Sequence, residues 1–81
     1  MDMQIPGEVI VEFIDGATKE EALALIAEYG AELIRFNTGE TLRMALVRVT
    51  PGEETSFLMA FLTSPLVILV DVNYQRRIKP Y

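Results

Sequence analysis

Eighty-one residues suffice for one small core and leave no room for a second domain, and an apolar content of 51% lets that core form without cross-links. The chain has no cysteine, which excludes disulfide scaffolds, thiolate metal sites and cysteine nucleophiles. Its net charge of −5 is unevenly spread: Arg76, Arg77 and Lys79 crowd the C-terminal end, leaving Lys19, Arg35, Arg43 and Arg48 against all twelve acids. So acidic a body repels a phosphate backbone, and no nucleic-acid partner is expected.

In chain order, Val9-Ile10-Val11-Glu12-Phe13-Ile14 lies between Pro6-Gly7 and Asp15-Gly16, so turn residues bracket a β-branched run that reads as a first strand. Thr18-Lys19-Glu20-Glu21 fits a capping box. Ala22, Leu25, Ile26 and Tyr29 then recur at helical spacing until Gly30, which predicts a helix from Lys19 to Tyr29. Ala31 to Asn37 is a second strand candidate, and Thr38-Gly39-Glu40 is short enough to turn it back as a hairpin into a third strand over Leu42 to Val49. Period two places Ala45, Val47 and Val49 on one face of that strand, and Leu42, Met44, Leu46 and Arg48 on the other.

Thr50-Pro51-Gly52-Glu53 has the pattern of a second capping box with proline at the first helical position. Phe57, Leu58, Phe61 and Leu62 are the expected buried stripe, widened by Met59 and Ala60, and Ser64-Pro65 stops the helix. The apolar octet Leu66 to Asn73 then forms the last strand. From Tyr74 onward the chain is polar and basic and is expected to leave the domain, with Pro80 holding Ile78-Lys79-Pro80-Tyr81 extended enough to enter a groove. Residues 1–8 thus read as a lead-in, 9–73 as the domain and 74–81 as a tail.

The element order β-α-β-β-α-β predicts an α+β, ferredoxin-like fold: a four-stranded antiparallel sheet with two helices on one face. The other face has no helix to cover it, yet Leu42, Met44 and Leu46 are expected there with Val67 and Leu69, if Val70 and Val72 point to the helices. An open apolar face on so small a domain points to a partner. With two capping boxes and this apolar content, the domain is expected to fold alone.

Catalytic chemistry is poorly provided for. The chain lacks histidine and tryptophan as well as cysteine, so a hydroxyl nucleophile would have only carboxylates or lysines as a base, and Lys19 belongs to a helix start while Lys79 belongs to the tail. No spacing among the acids resembles a calcium loop; Glu20-Glu21 and Glu53-Glu54 suit the first turns of helices. The glycines are scattered singly and make no phosphate cradle. Neither enzyme activity nor a metal or other cofactor is expected. No run of about 18 apolar residues is present to span a membrane, and Met1-Asp2-Met3-Gln4 lacks the regions of a secretory signal.

The opening strand Val9 to Phe13, the Gly30-Ala31-Glu32-Leu33 junction, and Phe61-Leu62-Thr63-Ser64-Pro65-Leu66-Val67 running into Val70-Asp71-Val72-Asn73-Tyr74 resemble the propeptides of subtilisin-like serine proteases and the standalone inhibitors related to them. The resemblance spans about Glu8 to Tyr81 in short, mostly apolar motifs. It implies an intramolecular chaperone and tight inhibitor whose open sheet face packs on two surface helices of the protease, with the C-terminal tail in the substrate cleft. On that basis Tyr81 fills the main specificity pocket, Pro80 and Lys79 follow backwards along the cleft, and Ile78 fills a second apolar pocket. Leu42, Met44, Leu46 and Leu69 would touch the protease surface. Asp71 and Asn73 match two acidic positions of the family that cap the protease helices, although Asn73 accepts a hydrogen bond without bringing charge.

The resemblance further implies an extracellular protein secreted with its protease, or a cytoplasmic one if it is a separate inhibitor. A chain ending on an aromatic after proline has the look of the upstream half of a processed bond, which favours the propeptide. The competing readings are a small ferredoxin-like regulatory or ligand-binding domain that forms a homodimer, and a purely structural domain, because one fold hosts many functions.

Overall fold

Val9, Val11 and Phe13 are wholly buried while Ile10 and Glu12 between them are only half-buried, the alternation of a strand with one packed face. The computed structural model describes residues 2–38 and 43–76. Its elements are β1 (Asp2–Phe13), α1 (Lys19–Glu28), β2 (Glu32–Thr38), β3 (Arg43–Arg48), α2 (Glu54–Leu62) and β4 (Val67–Arg76). The strands form one antiparallel sheet in the order β2-β3-β1-β4, the arrangement of the ferredoxin-like fold. Thr38-Gly39-Glu40, where a hairpin turn is expected, extends outside the described residues.

One face of the sheet carries Val9, Val11, Phe13, Ala45, Val47 and Val70, which pack in a single cluster with Ala22, Leu25 and Ile26 of α1 and Phe61 of α2. Phe61 is the central anchor of α2: it is fully buried and its ring meets that of Tyr29 edge-on at 5.1 Å. The stripe of α2 is narrower than its sequence suggests. Phe57 and Leu58 only pack against the rim of the cluster, whereas Met59 and Leu62 are 66% and 54% exposed, because they lie on the side of the helix turned away from the sheet.

The start of α1 follows the capping chemistry in its sequence. Thr18 Oγ1 accepts from the Glu21 N–H at 3.1 Å and Glu21 Oε1 accepts from the Thr18 N–H at 2.9 Å. Tyr29 caps the other end, followed by Gly30 at φ +73°. The start of α2 differs from expectation: no capping box forms at Thr50-Pro51-Gly52-Glu53. Glu53 N–H instead donates to the Thr50 carbonyl at 3.0 Å, with Pro51 and then Gly52 at φ +90° in the middle, a turn whose third residue must be left-handed. Proline followed by glycine favours that turn over a first helical turn.

What fixes α2 in place is Glu54, the one buried charged side chain among the described residues. Its Oε1 accepts from Gly52 N–H at 2.9 Å and its Oε2 from Gly7 N–H at 2.7 Å, tying the helix start to β1. The Gly7 N–H holds this carboxyl below its ordinary value of 4.5, helped by the N–H groups of Glu54 itself and of Gly52, while burial works against them.

The first strand reaches back through Pro6-Gly7 to Asp2, beyond the turn residues that mark its expected start at Val9. The Pro6-Gly7 turn is accommodated as a bulge: Gln4 pairs with Tyr74 and Val9 with Val72, so Ile5 to Glu8 stand opposite Asn73 alone. By the same pairing β4 continues through Tyr74, Gln75 and Arg76 opposite Gln4, Met3 and Asp2. The chain therefore does not leave the sheet at Tyr74 as expected.

Candidate functional site

Directly paired residues in a sheet share a face, so the register lays out the side opposite the helices as three rows. The middle row runs from Arg35 on β2 through Leu46 and Ile10 to Asp71 on β4. A second joins Met44, Glu12 and Leu69. The third runs from Glu32 through Arg48 to Glu8, and Asn73 completes it. No element among the described residues covers this face; its apolar centre is Ile10, Met44 and Leu46, all half-buried, and Leu69 is 55% exposed.

Met44, Leu46, Leu69, Asp71 and Asn73 thus stand on this one face. Val67 does not. A register shift at β4 pairs Glu12 with Leu69 but Phe13 with Val67, which leaves Ile68 as the extra residue and turns Val67 toward the helix side, where it packs against the core. Ile68 is 54% exposed at this bulge. Leu42, Ile78, Lys79, Pro80 and Tyr81 lie outside the described residues.

Charge is polarised across the face. The β2–β3 side carries Arg35 and Arg48, the latter 3.8 Å from Glu32 in a solvent-exposed ion pair of small energetic weight. The β1–β4 side carries Glu8, Glu12 and Asp71 with no cation among the described side chains. Between the two sides a shallow depression of about 110 Å³ is lined by Ile10, Arg35, Met44, Ala45, Leu46 and Asn73. It has an apolar floor and no group of converging bases or nucleophiles. Among the described residues no cluster of three metal-ligating side chains exists, and no helix is long and apolar enough to cross a membrane. The geometry suits contact with a surface better than the enclosure of a small molecule.

Sequence reasoning passed over Glu8. In the bulge its Oε1 accepts from Asn73 Nδ2 at 3.0 Å, although the two residues are 65 positions apart. The signal was Pro6-Gly7 itself: a turn pair running straight into a strand, with an acid between them, is the sequence of a bulge as much as of a strand start.

An open apolar face beside an acidic strip, on a ferredoxin-like sheet, is the feature of the described residues best shaped to meet another surface. Residues 3–73 match the family described as the fervidolysin N-terminal prodomain, and the chain belongs to that family of subtilisin-like protease propeptides. Prodomains of this kind are not themselves catalytic. Comparison with curated proteins and with solved structures finds no match.

Proposed function

We propose that this domain is the propeptide of a subtilisin-like serine protease, that it lays its open sheet face on the protease surface, and that it inhibits the enzyme by sending its C-terminal residues into the substrate cleft. The observation that carries this reading is the coincidence of family and geometry. A prodomain family match over residues 3–73 falls on a chain with a sheet face that no described element covers and that is apolar at Ile10, Met44, Leu46 and Leu69.

Met44, Leu46 and Leu69 supply apolar contact, as does Leu42, and Asp71 and Asn73 meet N–H donors of the protease. Ile78, Lys79, Pro80 and Tyr81 bind the cleft as an extended strand, Tyr81 in the main specificity pocket, with main-chain hydrogen bonds to its edges. In place of a lead-in over 1–8, a domain over 9–73 and a tail over 74–81, the docking domain takes in both strand ends, Asp2–Gln4 being paired with Tyr74–Arg76, and the residues after Arg76 supply the tail. A preformed sheet docked on the protease also offers its chain a template, which is the chaperone role. Because the partner acts outside the cell in this reading, the domain travels with it.

The test is titration of the purified 81-residue chain into subtilisin, with hydrolysis of a chromogenic peptide as the readout. Stoichiometric inhibition that rising substrate relieves is the expected result. Full activity at a chain concentration of about 10 μM, tenfold above a micromolar dissociation constant and so enough to populate such a complex, overturns the reading.

A further inference from the structure

Position 73 sits opposite the β1 bulge, with the Glu8 carboxylate 3.0 Å from its side chain. An aspartate there would set two carboxylates against each other at hydrogen-bond distance, and one would have to take up a proton. An amide resolves the conflict: its NH2 donates to Glu8, which turns its oxygen away from Glu8 and holds the Glu8 side chain in place. Position 73 thus supplies a neutral donor to the carboxylate one strand away. Glu8 is half-buried, stands on the open face beside the row of Ile10 and Asp71, and has no cation beside it among the described side chains of β4. Arg48, its neighbour on β3, pairs with Glu32.

We propose that Glu8, positioned by Asn73, is a specificity-determining residue of the docking face, and that with Asp71 it meets a patch of positive potential or unpaired N–H donors on the protease. This rests on the protease-binding reading and deepens it. The two carboxylates occupy neighbouring rows on adjacent strands, so they present charge at two points that fix rotation of the sheet on its partner. The hydrogen bond to Asn73 spares Glu8 the side-chain entropy that an unrestrained glutamate loses on docking.

The experiment compares the parent chain, Glu8→Gln, Asn73→Asp and the exchange Glu8→Gln/Asn73→Asp as inhibitors of subtilisin at low salt and at about 1 M salt, with a melting curve for each. Glu8→Gln keeps a hydrogen bond to Asn73 and loses only charge, so its inhibition constant rises about tenfold at low salt. The difference from the parent shrinks at high salt, where charges are screened within about 3 Å, and the melting midpoint stays near that of the parent. The exchange variant restores the charge on β4, with the amide introduced on β1 as its hydrogen-bond donor, and recovers most of the lost inhibition. Asn73→Asp alone melts lower than the parent, by repulsion from Glu8. If the parent inhibits and Glu8→Gln inhibits equally well at low salt, the role of Glu8 is wrong while the protease reading stands. Equal weakening of Glu8→Gln and the exchange variant also overturns it, since a lost charge would then not be the cause. A parent chain that does not inhibit subtilisin overturns the protease reading on which the proposal rests.

Discussion

The main-chain N–H of Gly7 donates to Oε2 of Glu54 at 2.7 Å, joining the bulge of β1 to the first residue of α2 across 47 positions of sequence. The Gly7 carbonyl in turn accepts from Val49 N–H at 2.8 Å, so one glycine ties the end of β3 and the start of α2 to the first strand. Gly7 stands at φ +75°, and a Cβ there would lie 2.9 Å from the Val49 carbonyl oxygen and 3.1 Å from Pro51 Cγ. Gly7→Ala therefore has both a left-handed backbone and a main-chain clash to relieve. We predict a loss on the order of 1–3 kcal/mol, read as a lower midpoint in thermal denaturation.

Glu54 makes stability depend on acidity. Its folded pKa is depressed below 4.5, so its contribution is complete above that value and is lost as pH falls through the lower, folded value. Glu21, held down by the Thr18 N–H and hydroxyl, acts in the same sense. Glu54→Gln replaces one accepting oxygen with a donor facing the N–H of Gly7 or Gly52, so it lowers the midpoint at neutral pH toward the value of the parent in acid. Melting curves taken from neutral pH into acid check this: the parent should lose stability below pH 4.5 more steeply than the variant.

The reciprocal cap of α1 gives a smaller, purely local effect. Thr18→Ala removes the acceptor for the Glu21 N–H and should cost about 1 kcal/mol, a fall of about 4–8 °C for a domain of this size. The parent should melt in one cooperative step, since a single cluster joins both helices to the sheet.

Apolar exposure on the two sides of the molecule should have different consequences. Leu69→Ser on the open face is expected to weaken inhibition of subtilisin about tenfold with little change in melting, because Leu69 is already 55% exposed. Met59→Ser, on the outer side of α2, should leave inhibition unchanged. Equal inhibition constants for the two variants would move the docking surface off the sheet.

Which features were legible in the sequence follows from how local their causes are. Thr18 to Glu21 makes its contacts within one helical turn, and the alternation of Ala45, Val47 and Val49 with Met44 and Leu46 is set by the pleat alone. Thr50 to Glu53 presents the same residue pattern as a cap, but Pro51-Gly52 closes a turn first, and the helix start is held by a carboxylate that reaches Gly7. A local pattern misplaces Val67 because one extra residue, Ile68, reverses the inward and outward sense of everything before it on β4. The Asn73–Glu8 contact depends on the β1 bulge and on pairing between opposite ends of the chain, neither of which a local pattern encodes.

Binding to a subtilisin-like protease underlies the proposed function. The most direct measurement is calorimetric titration of the chain into subtilisin whose catalytic serine is replaced by alanine, so that the chain survives uncut. The expected result is a one-to-one complex with a dissociation constant below about 1 μM, near −8 kcal/mol or stronger, and competition by a substrate-like peptide that occupies the cleft. Absence of binding at concentrations well above that value would contradict it.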